Sequence, residues 1–155
     1  MPNFKHITAN NNLRELVKSA FDTEIKLAGA WGYNKEESTI IQANEHNLPL
    51  AQFEHTLASM RAYLEMNMTQ EKADRYGSIN LNEISRESFN DKGLTYHKVG
   101  YEITAMKDED YATFINEYKE GYGKDNFDLA DHFKRRKKAT LTRVVNHWFE
   151  VSSIL

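Results

Sequence analysis

The strongest constraint on this chain is a run of apolar residues at helical spacing after Pro49. Leu50, Phe53, Leu57, Met60, Leu64 and Met68 step by 3, 4, 3, 4 and 4 residues. On an α-helix such steps keep every one of them on one face. The spacing predicts a helix from Pro49 to about Arg75, with proline in the first turn, where its missing N–H costs nothing. Gly77 is its expected end. Met66 falls off the row and is expected at the surface. An apolar face of this length has to be buried against another element.

Similar spacing recurs on both sides. Asn10-Asn11-Asn12 offers an N-cap, because an Asn side chain accepts a bond from an orphan helix N–H. Leu13, Leu16, Val17, Ala20, Phe21, Leu27, Ala28 and Trp31 follow, mostly at steps of three and four, and predict a helix ending at Gly32 or Asn34. Glu36 to Glu45 reads as a short helix. Asp108-Glu109-Asp110 places three acids where they complement a helix dipole. The face of that helix is Tyr111, Phe114, Ile115, Tyr118 and Tyr122, and Gly121-Tyr122-Gly123 stops it. Asp125 or Asn126 then caps a last helix carrying Phe127, Ala130, Lys134, Lys137, Leu141, Val144, Trp148, Val151 and Leu155 on one seam. That seam is apolar at both ends and cationic in its middle, so its centre is expected to face solvent.

The middle of the chain is open to two readings. Leu94 to Ala105 contains Thr, Tyr, Val and Ile, which suit a strand, and Ser78 to Phe89 reads as a strand or a short helix. Asn90-Asp91-Lys92-Gly93 suits a hairpin built on a type I turn followed by glycine at positive φ. Gly93 also suits the C-cap of a helix over 82–90. The fold class expected is therefore mainly α: a single globular domain, residues 1–155, of four to five helices with a small β-hairpin near residues 79–104. An all-α bundle is the alternative. A mobile N-terminal lead-in is expected at about residues 1–10.

Composition narrows the chemistry. With 155 residues the chain can bury a core without a staple. It has no cysteine, which removes disulfides, thiolate zinc sites, iron–sulfur clusters and a cysteine nucleophile together. The polar start, Met1 to Asn12, has no apolar signal region, and no stretch is apolar enough for a transmembrane helix. The expected location is cytoplasmic, with no membrane partner.

Net charge is −3, which argues against a general nucleic-acid coat. Its distribution says more. Glu102 to Asp131 holds nine acids and three bases, while His132 to Phe149 holds six bases and no acid. The six bases are the candidate binding residues: Lys134, Arg135, Arg136, Lys137, Lys138 and Arg143. They suit an acidic protein surface or nucleic-acid phosphates. The plainer alternative is a solvated helix face neutralised by the acids upstream, with Asp131 and Arg135 already paired at i,i+4.

The histidines are His6, His46, His55, His97, His132 and His147. Glu-x-x-His and His-Glu-x-x-His are absent. Asp128 and His132 supply half a metal site at most, and Glu54 and His55 flank the apolar row where either could be buried. Gly-x-Ser-x-Gly and phosphate-binding glycine loops are also absent. No cofactor and no metal are expected, and the reading leans away from an enzyme. The expected function is a small protein-interaction module (adaptor, inhibitor, immunity-type or regulatory) that binds an acidic partner through a basic C-terminal helix. Two alternatives stand beside it. One is a nucleic-acid-associated protein using the same helix. The other is a helical metal enzyme using His46, His55, His132, His147 and nearby carboxylates. Oligomeric state is open.

Overall fold

A computed structural model describes residues 4–7 and 12–155. Among these residues the elements run α1 (Leu13–Phe21), β1 (Leu27–Gly29), β2 (Thr39–Ile41), α2 (Leu50–Thr69), β3 (Gly77–Asp91), β4 (Leu94–Met106), α3 (Asp108–Gly121), α4 (Leu129–Ala139) and β5 (Leu141–Glu150). The strands form one mixed sheet in the order β1-β2-β5-β4-β3. Only β2 and β5 run parallel. Four helices and a five-stranded sheet make an α/β fold, which overturns both the mainly helical domain and the all-α bundle.

The differences from the sequence reading have local causes. Helix α1 begins as expected, with the Asn12 side chain accepting from Arg14 N at 2.9 Å. It ends early, at Asp22, whose φ of 50° is left-handed. Leu27, Ala28 and Gly29 then pair with Ile41, Ile40 and Thr39, so two expected helices become β1 and β2. The long helix stops at Thr69, and Gly77 opens β3. The last helix ends at Ala139. Beyond it the β-branched Thr140, Thr142, Val144 and Val145, which stiffen the backbone in an extended form, lead into β5.

The hairpin lies where its turn residues place it, but it is far longer than expected. Asp91 faces Leu94 in register, so Lys92 and Gly93 alone make the loop. Their φ values are 51° and 82°, and two positive φ values identify a type I′ turn rather than a type I turn.

Helix α2 covers one face of the sheet. Its Leu57 and Ala58 join Ile41, Val99, Tyr101, Ile103 and Phe149 in the main core. The buried face is rotated from the apolar row: Glu54, Arg61 and Glu65 are buried on it, Met66 is buried, and Met68 is exposed. Within the expected lead-in, Ile7 joins this core and Phe4 packs against a second, smaller cluster of Met66, Ala105 and Leu141. Ile7 N donates to Tyr33 Oη at 3.0 Å and the His6 ring stacks on Tyr33 at 3.8 Å. The rest of residues 1–10 lies outside the described residues. Leu57 is 1% exposed, so Leu57→Ala should cost about 2–5 kcal/mol in urea unfolding. A loss under about 0.5 kcal/mol would remove Leu57 from the core.

Candidate functional site: a basic helical arm

Between β4 and β5 the chain makes an arm of two helices, α3 and α4, that adds little to the main core. Phe114 is the only buried residue described on α3, and His132 the only one on α4. Asp128 caps α4, its carboxylate accepting from Asp131 N at 3.0 Å. The arm has a small aromatic core of its own. The His132 ring is surrounded by Phe114, Tyr118 and Phe127, with centroids 5.6–5.8 Å away.

One carboxylate ties the two helices together. Glu117 on α3 accepts from Arg135 on α4, with Nη1 to Oε2 at 3.1 Å, and it meets His132 Nδ1 at 3.1 Å. Arg135 Nε also donates to Asp131 at 2.8 Å. The hydrogen bond from Arg135, and then that from His132, hold the Glu117 carboxyl down to about 2. The carboxylates of Glu117 and then Asp131 push the Arg135 guanidinium up.

This geometry divides the six candidate binding residues. Arg135 clamps the arm. Arg143 lies on β5, outside the helix, where its guanidinium bonds Glu65 and stacks on Phe4 at 4.0 Å. Both spend their charge internally. Among the described residues Lys134, Arg136, Lys137 and Lys138 make no ion pair. At about 100° per residue, Lys134, Lys137 and Lys138 point away from buried His132, while Arg136 lies nearer to it and is half-buried. Phe133 and Leu129, 48% and 42% exposed, border the cationic face. Among the described residues, Glu117 and Asp131 are the only acids of the upstream block that form ion pairs with the basic one.

The sequence reading named Glu54 as a residue that could be buried, but it missed Arg61, Glu65 and the ion pairs between α2 and the sheet. Glu54 is fully buried and accepts from Arg86 at 2.7 Å and His97 at 2.8 Å. Glu65 accepts from Tyr33 Oη at 2.7 Å and pairs with Arg143. Burial, and then the Glu54 charge, push the Tyr101 hydroxyl up. The signal was present: charges at 54, 61 and 65, spaced 7 and 4 apart, share a helix face with Leu57 and Ala58.

The histidines considered for metal binding are dispersed. His55 Nε2 donates to Leu81 O at 2.9 Å, His132 is in the arm, His147 is in the core beside Thr39, and His46 is exposed. Among the described residues no three His, Asp or Glu side chains gather to hold a metal, and no helix is long and apolar enough to cross a membrane.

Comparison of the chain with family models, curated proteins and solved structures gave no match.

Proposed function

We propose that this is a cytoplasmic protein-interaction module whose helical arm binds an acidic protein surface. The observation that carries the reading is the division of charge on α4. Arg135 is used to hold the arm's shape, while Lys134, Lys137 and Lys138 are left outward and unneutralised. Like charges one turn apart repel on an isolated helix, and an acidic partner relieves that cost. Phe133 and Leu129 at the edge favour a protein over nucleic acid, since they supply the apolar contact around which protein interfaces are built.

The test is Lys134→Glu, Lys137→Glu and Lys138→Glu together, with Arg135 left intact so that the clamp on Glu117 remains. Wild type and variant are used to capture partners from lysate of the parent cell at low and high salt, after nuclease treatment. The expected result is a stoichiometric protein captured by wild type and lost with the triple variant, at unchanged far-UV circular dichroism. Equal capture by both overturns the reading. Nucleic acid recovered alone, with steep salt dependence, transfers the arm to the nucleic-acid alternative.

A further inference from the structure

The sheet has two faces, and α2 covers only one. On the other, no described helix lies over the three strands β5, β4 and β3, and the β1–β2 connection reaches it only at one end, where Lys35 Nζ stands 5.4 Å from the Tyr96 ring and pairs with Asp91. Val144 is 62% exposed there, and Thr142, Asn146 and Ser85 are exposed beside it. An antiparallel sheet can leave one face to water, but that face is then polar. This one is polar over most of its area, with Lys98, Glu87 and Glu102 on it, but it also carries Trp148 and Phe89, stacked at 5.5 Å, as well as Val144.

The pattern on this face is symmetric about one row. In register across β5, β4 and β3, the central row is Asn146, Gly100 and Ser85, all small or flat. Gly100 has no room for a side chain, since a Cβ there would meet Ser85 Oγ at 2.2 Å. Two residues away on one side lies the row Trp148, Lys98 and Glu87. On the other side lies the row Val144, Glu102 and Asn82, two residues away on β5 and β4 and three on β3, where a bulge between Glu83 and Ser85 adds a residue.

A two-fold axis parallel to the sheet, crossing the strands at Gly100, lays one copy on another with these flanking rows exchanged. Lys98 then faces Glu102 of the copy, Trp148 faces Val144, and Glu87 faces Asn82. Every contact occurs twice, as an isologous interface requires. An axis along the strands would instead set Lys98 against Lys98, so the charges choose the orientation. The rows from Tyr96 to Thr104 span about 27 Å along the strands and about 14 Å across three of them. With side-chain relief, two copies bury on the order of 1,000 Å², where specific association begins. Sheets stack face to face about 10 Å apart with strands nearly aligned, a gap that a Lys–Glu pair or a Trp–Val pair spans.

We propose that the uncovered sheet face is a homodimer interface, with a second copy of this chain docked about Gly100. The inference is independent of the helical arm and stands or falls without it.

The experiment is sedimentation equilibrium of the full chain over a micromolar concentration series, for wild type, Lys98→Glu, Glu102→Lys and the double reversal. Wild type should sediment at twice the mass of one chain. Each single reversal sets like charges face to face at two places and should raise the dissociation constant at least ~10-fold, or about 1.4 kcal/mol. The double reversal restores both pairs with opposite sense and should return most of the dimer. Val144→Glu is a further variant: it alters an exposed residue of the single chain, sets a charge against Trp148 of the copy and should give a folded monomer. Wild type that stays monomeric overturns the proposal, whichever other partner the face takes. So do single reversals that dimerise like wild type, and so does a double reversal as monomeric as the singles.

Discussion

Arg61→Ala lowers the free energy of unfolding by about 3–5 kcal/mol, the range found when a buried charge network loses one member. Arg61 is 2% exposed, in the middle of α2. Its guanidinium donates to Trp31 O at 3.1 Å and to Asn146 O at 2.9 Å, and lies over the Tyr33 ring at 4.7 Å. One side chain thus joins the long helix, the β1–β2 connection and β5. Burial lowers its pKa, and the neighbouring Glu65 carboxylate opposes that effect. Truncation leaves two carbonyls without this donor, at about 1–3 kcal/mol each, and leaves Glu65 with Arg143 as its remaining nearby cation. Urea unfolding of the variant at neutral pH measures the loss. Arg61→Met separates the causes: it fills most of the volume but donates nothing, so it should recover only the packing part. A loss below about 1 kcal/mol for Arg61→Ala would mean that water replaces the guanidinium.

The second large effect is acid destabilisation through His147, which is fully buried on β5. The Thr39 hydroxyl donates its single proton to Ala30 O at 2.7 Å, so at 2.9 Å it accepts from His147 Nε2–H. That assigns the neutral tautomer and leaves Nδ1 as a buried lone pair with no partner among the described residues. Protonating Nδ1 would bury a second positive charge near Arg61. Burial, and then Arg61, hold the imidazole well below its usual 6.5. The folded pKa is depressed, so below about pH 6.5 the unfolded chain binds a proton that the folded chain does not. Stability from this group is complete above that pH. It falls by about 1.4 kcal/mol for each unit of acidification below it, until the depressed folded pKa is reached. His147→Gln should be less stable at neutral pH and should lack this component of the slope. Subtracting its stability-against-pH curve from that of wild type isolates one proton. Parallel curves between pH 6.5 and about 4.5 would show that His147 is protonated in the folded protein.

Both effects come from polar groups inside the fold, where the sequence was least legible. The apolar row of α2 gave its position, but Glu54, Arg61 and Glu65 rotate its buried face, and each does so through residues 30 to 85 positions away. The basic run was legible as a run. What could not be read was that Arg135 would be consumed by Glu117 and that Arg143 would leave the helix for β5. The alternation of β5 was present in Thr140, Thr142 and Val144, but the seam Leu141, Val144, Trp148 and Val151 fits a helix equally well. Short segments of this kind are decided by their neighbours.

What the sequence alone determined is what its own neighbours in the chain can stabilise. The Asn12 cap, the body of α2 and the acidic start of α3 all follow from interactions within a few residues. So does a chain reversal at Gly93, which the sequence reads either as a type I hairpin turn or as a helix end and which proved to be a type I′ turn. A helix bonds each N–H to a carbonyl four positions back, and a type I′ turn needs only the φ values of two residues. The tertiary structure decided the rest: that Leu27–Gly29 and Thr39–Ile41 are strands, that β5 is one, and which charges are buried. A strand has no hydrogen bonds of its own. Its ladder is supplied by a partner, and for β2 and β5 that partner lies more than a hundred residues away, beyond the reach of any periodicity in the chain.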